Sequence, residues 1–260
     1  MCYLIARRVT QITILILFVL GIGFKGNLSS SVIFSKIPLS DPFAILQLYL
    51  AGFSIGFKAL IGAVIVLGFY ALIVGRAFCA WVCPVNMITD LAYFMREKTL
   101  FKRSKILNIS KSTRYYVLTL SLILSFVLGL PAFEEVSYIG IIHRGIIFGS
   151  LLWIMVGLII FCVDLFLNER LICSRICPLG AFYALVSRFS LLKISHNVNQ
   201  CTKCYKCLAI CPEKQVLNMV GKRSEKVKSG ECIKCGCCIE VCKDNALSFN
   251  LVDLLKKEKR

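Results

Sequence analysis

Cys201-x2-Cys204-x2-Cys207-x3-Cys211-Pro212, followed about twenty residues later by Cys232-x2-Cys235-x2-Cys238-x3-Cys242, is the stretch that decides how this chain is read. Thiolate sulfur is a soft, electron-rich donor suited to iron–sulfur chemistry. Each run places three sulfurs on one loop around one cube, and its fourth cysteine opens a short helix that reaches the other cube. The spacing therefore predicts two [4Fe–4S] clusters rather than zinc knuckles. One is held by Cys201, Cys204, Cys207 and Cys242, the other by Cys232, Cys235, Cys238 and Cys211. The second run carries an additional Cys237, read as a bystander thiol, and has Lys243 where the first has Pro212.

Working outward, the rest of the chain is far more apolar than a soluble domain. Of 260 residues, 58% are hydrophobic and 17% charged, and the mean hydropathy is +0.78. This composition predicts a polytopic α-helical membrane protein. The net charge of +17 follows from basic residues flanking apolar spans, as the positive-inside rule requires, so nucleic acid is not expected as a partner. Fifteen cysteines at these spacings need reduced thiols, which places the cysteine-rich segment in a reducing cytoplasm.

Four spans are expected, at 9–24, 59–75, 115–133 and 145–163, after a short start ending in Arg7-Arg8. Gly21-x-Gly23-x2-Gly26 follows a membrane helix rather than a strand, so it is not a dinucleotide site. Residues 26–41 read as an external loop. Pro42–Phe57 reads as an interfacial or re-entrant piece, because Lys58 alone cannot reverse a helix; Lys58 is expected to snorkel to the headgroups. Between Arg76 and Arg114 eight Lys/Arg face two acids, and from Asn168 to Arg260 seventeen face eight. Both segments are expected in the cytoplasm, and the loop carrying Glu134, Glu135, His143 and Arg144 outside. Gly145-x3-Gly149 is read as a close helix contact. The expected domains are a transmembrane part, 1–195, and a small α+β cluster domain, 196–260, with both termini inside.

A second cysteine pattern repeats. Arg76-x2-Cys79-x3-Cys83-Pro84 recurs as Arg170-x2-Cys173-x3-Cys177-Pro178, each copy following a span, so the membrane part reads as two repeated helix-pair halves. Cysteines at i and i+4 share a helix face. Cys79, Cys83, Cys173 and Cys177 could hold a further metal or iron–sulfur centre, act as redox thiols, or be structural.

This combination resembles the NapH family of membrane quinol-dehydrogenase subunits of periplasmic nitrate reductase systems. The resemblance rests on Phe78-Cys79-Ala80-Trp81-Val82-Cys83-Pro84 with Asn86 and Thr89-Asp90 behind it. It also rests on Gly26-Asn27-Leu28-Ser29-Ser30-Ser31, on Pro38-Leu39-Ser40-Asp41-Pro42 and on the ferredoxin-type runs. It covers essentially the whole chain. It implies oxidation of menaquinol or ubiquinol at a bacterial inner membrane. Electrons would pass, with a periplasmic ferredoxin-type subunit of the NapG kind, towards c-type cytochromes and the reductase.

The remaining residues constrain the route. The two histidines, His143 outside and His196 inside, cannot share a haem, and no Cys-x2-Cys-His occurs. A quinone, a partner subunit or a centre at the Cys-x3-Cys-Pro motifs must therefore carry electrons across the membrane. Candidates for quinol proton transfer are Asp164, Glu134, Glu135 and His143. Asp164 has a competing reading, as a helix cap or a partner of Arg170. Arg76 and Arg170 are expected to anchor to headgroups or neighbour the motif thiolates, and Trp81 to be an interface anchor. Two other functions stay open. One is oxidase maturation or copper handling, for which a further span and an extra-cytoplasmic domain would be expected. The other is a non-redox scaffold or regulator of anaerobic respiration.

Overall fold

The computed structural model describes residues 2–21, 24–26, 29–33, 37–98 and 109–251. Asn27, Leu28, Lys102, Arg103, Lys105 and the basic C-terminal run, which entered the reading above, lie outside them. Helix α1 (Cys2–Leu20) is followed by strands β1 (Phe24–Gly26), β2 (Ser30–Ile33) and β3 (Ile37–Ser40), and then by α2 (Pro42–Leu50) and α3 (Phe57–Gly68). A π-helical run, Phe69–Val74, prolongs α3. Next come α4 (Phe78–Trp81), α5 (Val85–Lys98), α6 (Thr113–Leu128), α7 (Ala132–Val136), α8 (Tyr138–Phe148) and α9 (Leu152–Phe166). A second π-helical run, Ile172–Ile176, leads into α10 (Pro178–Val186), β4 (Leu192–His196), α11 (Lys206–Ile210), β5 (Glu225–Lys226), α12 (Cys237–Glu240) and β6 (Leu247–Leu251).

Two apolar helical stretches, Tyr3–Leu20 and Phe57–Val74, have the length and composition to cross a bilayer; α6, α8 and α9 are shorter apolar helices. Several expected boundaries move. The first helix starts at Cys2, not at residue 9, and has ended by Leu20. Arg7 does not exclude its turn from the helix, because the guanidinium is buried and donates to the Ala80 carbonyl at 3.2 Å. The stretch 145–163 is not one helix. Gly149 adopts φ +71 and caps α8, and the chain restarts at Leu152. Of the Gly145-x3-Gly149 pair only Gly145 makes the close contact, since a Cβ there would lie 2.6 Å from the Trp153 side chain.

The described residues form two compact units. One takes Thr10–Leu67 and Val82–Phe182. In it α9 packs along α5 and beside α8, while α2 lies against α6 and α7. Residues 26–41, expected as a loop, build an antiparallel sheet of order β1-β2-β3. That sheet closes on α3 at Gly62, where a Cβ would come within 2.9 Å of the Pro38 carbonyl oxygen. Asp41 caps α2, accepting from the Phe43 amide at 3.1 Å, and Pro42 occupies the first turn, where its missing N–H is harmless. Nine residues span only about 14 Å, so α2 fills only the first part of the expected Pro42–Phe57 piece. Its fully buried Gln47 accepts from the Phe133 amide at 2.9 Å. Among non-aqueous neighbours this pairing satisfies two polar groups at once.

The other unit takes Met1–Val9, Gly68–Trp81 and Tyr183–Arg260. Its sheet has the order β5-β4-β6, all antiparallel, with Leu192 opposite Leu251 and His196 opposite both Leu247 and Glu225. The sheet thus begins at Leu192, ahead of the expected start at 196. Ile194, Val216, Leu217, Val220 and Leu247 form its core together with Cys207, Cys232 and Cys238. Gly75 (φ +69) ends the first π-helical run, and a Cβ at this position would collide with the end of the Lys234 side chain.

Candidate iron–sulfur sites

The two cysteine runs share one backbone design. In each Cys-x-Lys-Cys loop the lysine is left-handed, Lys203 at φ 58 and Lys234 at φ 52, as is the residue after the second cysteine, Tyr205 at φ 55 and Gly236 at φ 77. These turns curl the loop so that its sulfurs converge. Cys207 sits within electrostatic reach of Cys242 and Cys204, and Cys238 within reach of Cys232 and Cys211. One cavity is lined by Cys211, Cys232, Cys235 and Cys238 together with Pro212 and Ile233. Those four thiols are the crossed set expected for the second cluster. Burial pushes the Cys232 and Cys238 thiols up, and Cys235 is raised first by its contact with the Cys237 thiol and then by burial. Buried thiolates of this kind are stabilised by a metal rather than by water, so the donor chemistry fits a cluster.

The two sites differ in their surroundings. Around the first, Cys204 is exposed and Lys203, Tyr205 and Lys206 face solvent. Around the second, every residue from Cys232 to Gly236 is buried. Lys234 is 5% exposed and donates to Ser190 Oγ at 2.5 Å. Burial lowers its ammonium to about 8, which leaves it cationic at neutral pH. Arg7 donates to Cys237 Sγ at 3.4 Å. Cys79, Trp81 and Cys237 pack on a small core of Ala80, Ile233 and Cys235. Trp81 Nε1 donates to the Lys234 carbonyl at 3.1 Å; the indole is a strut under the cluster loop, not an interface anchor.

Arg76 does not reach for headgroups. It forms a buried ion pair with Glu213 at 3.2 Å and donates to the Glu231 carbonyl at 3.2 Å. Removing one partner of a buried pair leaves an uncompensated charge and costs about 3–5 kcal/mol. Glu213→Gln is therefore expected to lower the thermal midpoint of the holoprotein in detergent and to speed iron loss. Arg76→Met/Glu213→Leu, which removes both charges, should recover most of that loss.

The Cys-x3-Cys-Pro motifs are built alike. Pro84 precedes α5 and Pro178 opens α10, so Cys83 and Cys177 each sit at a helix N-terminus, where the macrodipole favours thiolate. Cys177 Sγ accepts from the Gly180 amide at 3.4 Å, and the Cys83 carbonyl accepts from Gln11 Nε2 at 3.3 Å. Within the larger helical unit, Cys177, Cys173 and Cys83 all lie within electrostatic reach of the Tyr138 hydroxyl. Arginines secure the end of α9 and the turn that follows it and carries Cys173. Arg96 donates to the carbonyls of Asp164 and Leu165 at 3.1 and 2.9 Å, and Arg114 to that of Ser174 at 3.2 Å. Arg175 donates to the Ile109 carbonyl at 2.6 Å.

The proton-transfer candidates separate. Asp164 is fully buried and caps the turn after α9, accepting from the Ile172 amide at 3.2 Å. Arg170 pairs instead with Asp90 at 2.9 Å and stacks on Tyr93 at 4.5 Å, so it too is not a headgroup anchor. Glu134 accepts from Ser29 Oγ at 2.5 Å, and Glu135 is exposed. His143 does not join them in a loop. It lies inside α8, 2% exposed, with its ring edge-on to Phe18 at 4.8 Å. His196 is held through Nδ1 by the Arg223 carbonyl at 2.9 Å. Sequence reading had not singled out Arg7, Lys234 or Tyr138. The matching lysines of the duplicated loops were the one visible hint.

Known proteins now give the arrangement a context. A "4Fe-4S binding domain" family model matches residues 55–103 and 150–196, the two segments that contain the Cys-x3-Cys-Pro motifs. A "4Fe-4S dicluster domain" model matches residues 193–243, so the chain carries two [4Fe–4S] clusters there. The chain is 39% identical to the methylamine utilization ferredoxin-type protein MauN of Paracoccus denitrificans, over 87% of this chain and 82% of that protein. It is 36% identical to the ferredoxin-type protein NapH of Haemophilus influenzae, over 95% and 89%. NapH of Escherichia coli is 33% identical over 95% and 88%. No solved structure matches. Cysteine geometry, the two domain matches and full-length similarity agree: this chain belongs to the NapH/MauN family of ferredoxin-type iron–sulfur electron-transfer proteins.

Proposed function

We propose that this protein is the membrane subunit of a quinol dehydrogenase. In this reading it crosses a bacterial inner membrane four times with its termini and ferredoxin-type clusters on the cytoplasmic side. It takes electrons from menaquinol or ubiquinol and passes them, with a periplasmic ferredoxin-type partner, towards c-type cytochromes and a periplasmic nitrate reductase. Within one unit Cys83, Cys173 and Cys177 would hold a further iron–sulfur centre, and the chemistry it would supply is a one-electron relay. The observation that carries this reading is that Cys83, Cys173 and Cys177, from both copies of the motif, all lie within electrostatic reach of Tyr138 in one unit. The iron–sulfur family match over both motif segments supports it.

In this mechanism the chain's own groups do the positioning. The helix N-termini at Cys83 and Cys177 favour thiolate ligands, and the arginine-held turn fixes Cys173. His143, buried beside Phe18, is the group best suited to take a quinol proton in an apolar site. Asp164 caps the turn after α9 through Oδ1 and in this reading is a positioning residue. The test is anaerobic addition of a reduced menaquinone analogue to the protein in nanodiscs. Bleaching of the iron–sulfur absorbance is expected, and its absence would refute quinol oxidation.

A second reading is a role in methylamine utilization, favoured by the MauN relatives at 38–39% identity. Complementation of napH and mauN deletion strains separates the two. Rescue of nitrate-dependent growth supports the first reading, and rescue of growth on methylamine alone supports the second.

A further inference from the structure

The duplicated cluster loops have the same backbone and opposite environments, and the difference has a chemical sense. Cys232–Gly236 is sealed, whereas Cys204 reaches the surface with Lys203, Tyr205 and Lys206 exposed around it. Two further lysines are brought to the same loop. Asp244 Oδ2 accepts from Thr202 Oγ1 at 2.6 Å and from the Thr202 amide at 3.3 Å. This ties the Cys242 end, with exposed Lys243, to the Cys201–Cys204 loop. Gly221 lies against Tyr205 and Lys203, since a Cβ there would stand 3.1 Å from the Tyr205 hydroxyl and 3.4 Å from Lys203 Cγ. That approach sets exposed Lys222 on the rim. Asp244 at this seam is engaged by Thr202, and Glu225 by Arg223 and Lys228.

We infer that the Lys203–Lys206–Lys222–Lys243 rim around Cys204 is a docking surface for an acidic, soluble one-electron carrier protein that exchanges electrons with the first cluster. Charged rims of this kind steer encounter and orient short-lived redox complexes, whose interfaces are small. An exposed tyrosine beside an exposed ligand loop suits a protein partner better than a lipid headgroup, because it offers an apolar face at the point of closest approach. In the exchange one electron leaves the reduced carrier, which is oxidised, and is taken up at the Cys201/Cys204/Cys207/Cys242 site, which is reduced. No bond or proton moves. This goes beyond the quinol reading and needs only the first cluster.

The test mixes the holoprotein in nanodiscs with a dithionite-reduced acidic [2Fe–2S] ferredoxin in stopped flow, with binding followed separately by surface plasmon resonance. For the wild type, raising ionic strength from low to high is expected to slow the second-order reaction by about tenfold or more. The quadruple variant K203Q/K206Q/K222Q/K243Q should lose about tenfold in rate and in binding at low salt, while K228Q stays within about twofold. Iron content and the dithionite-reduced EPR spectrum, unchanged in both variants, show that the clusters survive. A quadruple variant that binds and reacts like the wild type overturns the inference. So does one that keeps its carrier kinetics but no longer associates with phosphatidylglycerol vesicles, which would make the rim a headgroup site. Reaction with reduced menaquinone, read on the same samples, is independent. Its failure with carrier exchange intact removes the quinol reading and leaves this one standing.

Discussion

Replacing Cys83 and Cys177 together by serine is expected to remove about four irons per chain, one cubane's worth, while both ferredoxin-type clusters remain. The two thiols stand at helix N-termini, share the neighbourhood of Tyr138 with Cys173, and fall in segments matched by an iron–sulfur family model. Serine is nearly isosteric, so packing is preserved and the loss reports ligation. Iron and acid-labile sulfide analysis of the purified protein measures it. A single Cys162→Ser variant, altered within α9 and outside both motifs, should keep its full iron content. If the double variant also retains it, the four motif cysteines are redox thiols or structural groups, and the additional centre does not exist.

Lys234→Gln is expected to lower the midpoint potential of the second cluster and leave the first unchanged. A cation stabilises the reduced, more negative cluster, so removing it disfavours reduction. A unit charge about 8 Å away at an effective dielectric of about 20 is worth about 2 kcal/mol, or about 90 mV for one electron at 59 mV per tenfold. Lys234 is buried between Cys232 and Cys235 and held by Ser190, so solvent screens little of this. Glutamine can keep a hydrogen bond to Ser190. The matching Lys203→Gln should shift the first cluster by less than about 20 mV, because that ammonium is in water. EPR-monitored redox titration separates the two signals. A second-cluster potential that stays put or rises would show that Lys234 does not set it.

The cluster loops were legible because ligand spacing is a local code: three sulfurs on one short loop leave little freedom for anything else. The apolar run at 42–57 was legible as a separate piece, since Lys58 alone cannot reverse a helix, and α2 fills its first part. What stayed hidden depends on partners far away in the chain. Arg76 and Arg170 follow apolar runs and so read as headgroup anchors or neighbours of the motif thiolates, yet Glu213, 137 residues from Arg76, and Asp90 claim them. Arg7 extends α1 beyond its apolar stretch because the Ala80 carbonyl and Cys237 satisfy it. The break at Gly149 was masked by the continuous apolar run on both sides, where hydropathy carries no signal for a turn. The β1-β2-β3 sheet was hidden by its serines and Pro38, which read as a loop until strand pairing satisfies the backbone groups. Lys234 and Lys203 occupy equal positions in the same motif, and only the fold gives them opposite environments.

The most direct measurement is freeze-quench EPR of the protein in nanodiscs after anaerobic mixing with a reduced menaquinone analogue, wild type beside C83S/C177S. The wild type should show the reduced ferredoxin-type clusters within the first turnover. The variant should show them with dithionite but not with quinol, because the relay at the repeated motif is gone. Equal reduction of the clusters by quinol in both proteins would contradict the account.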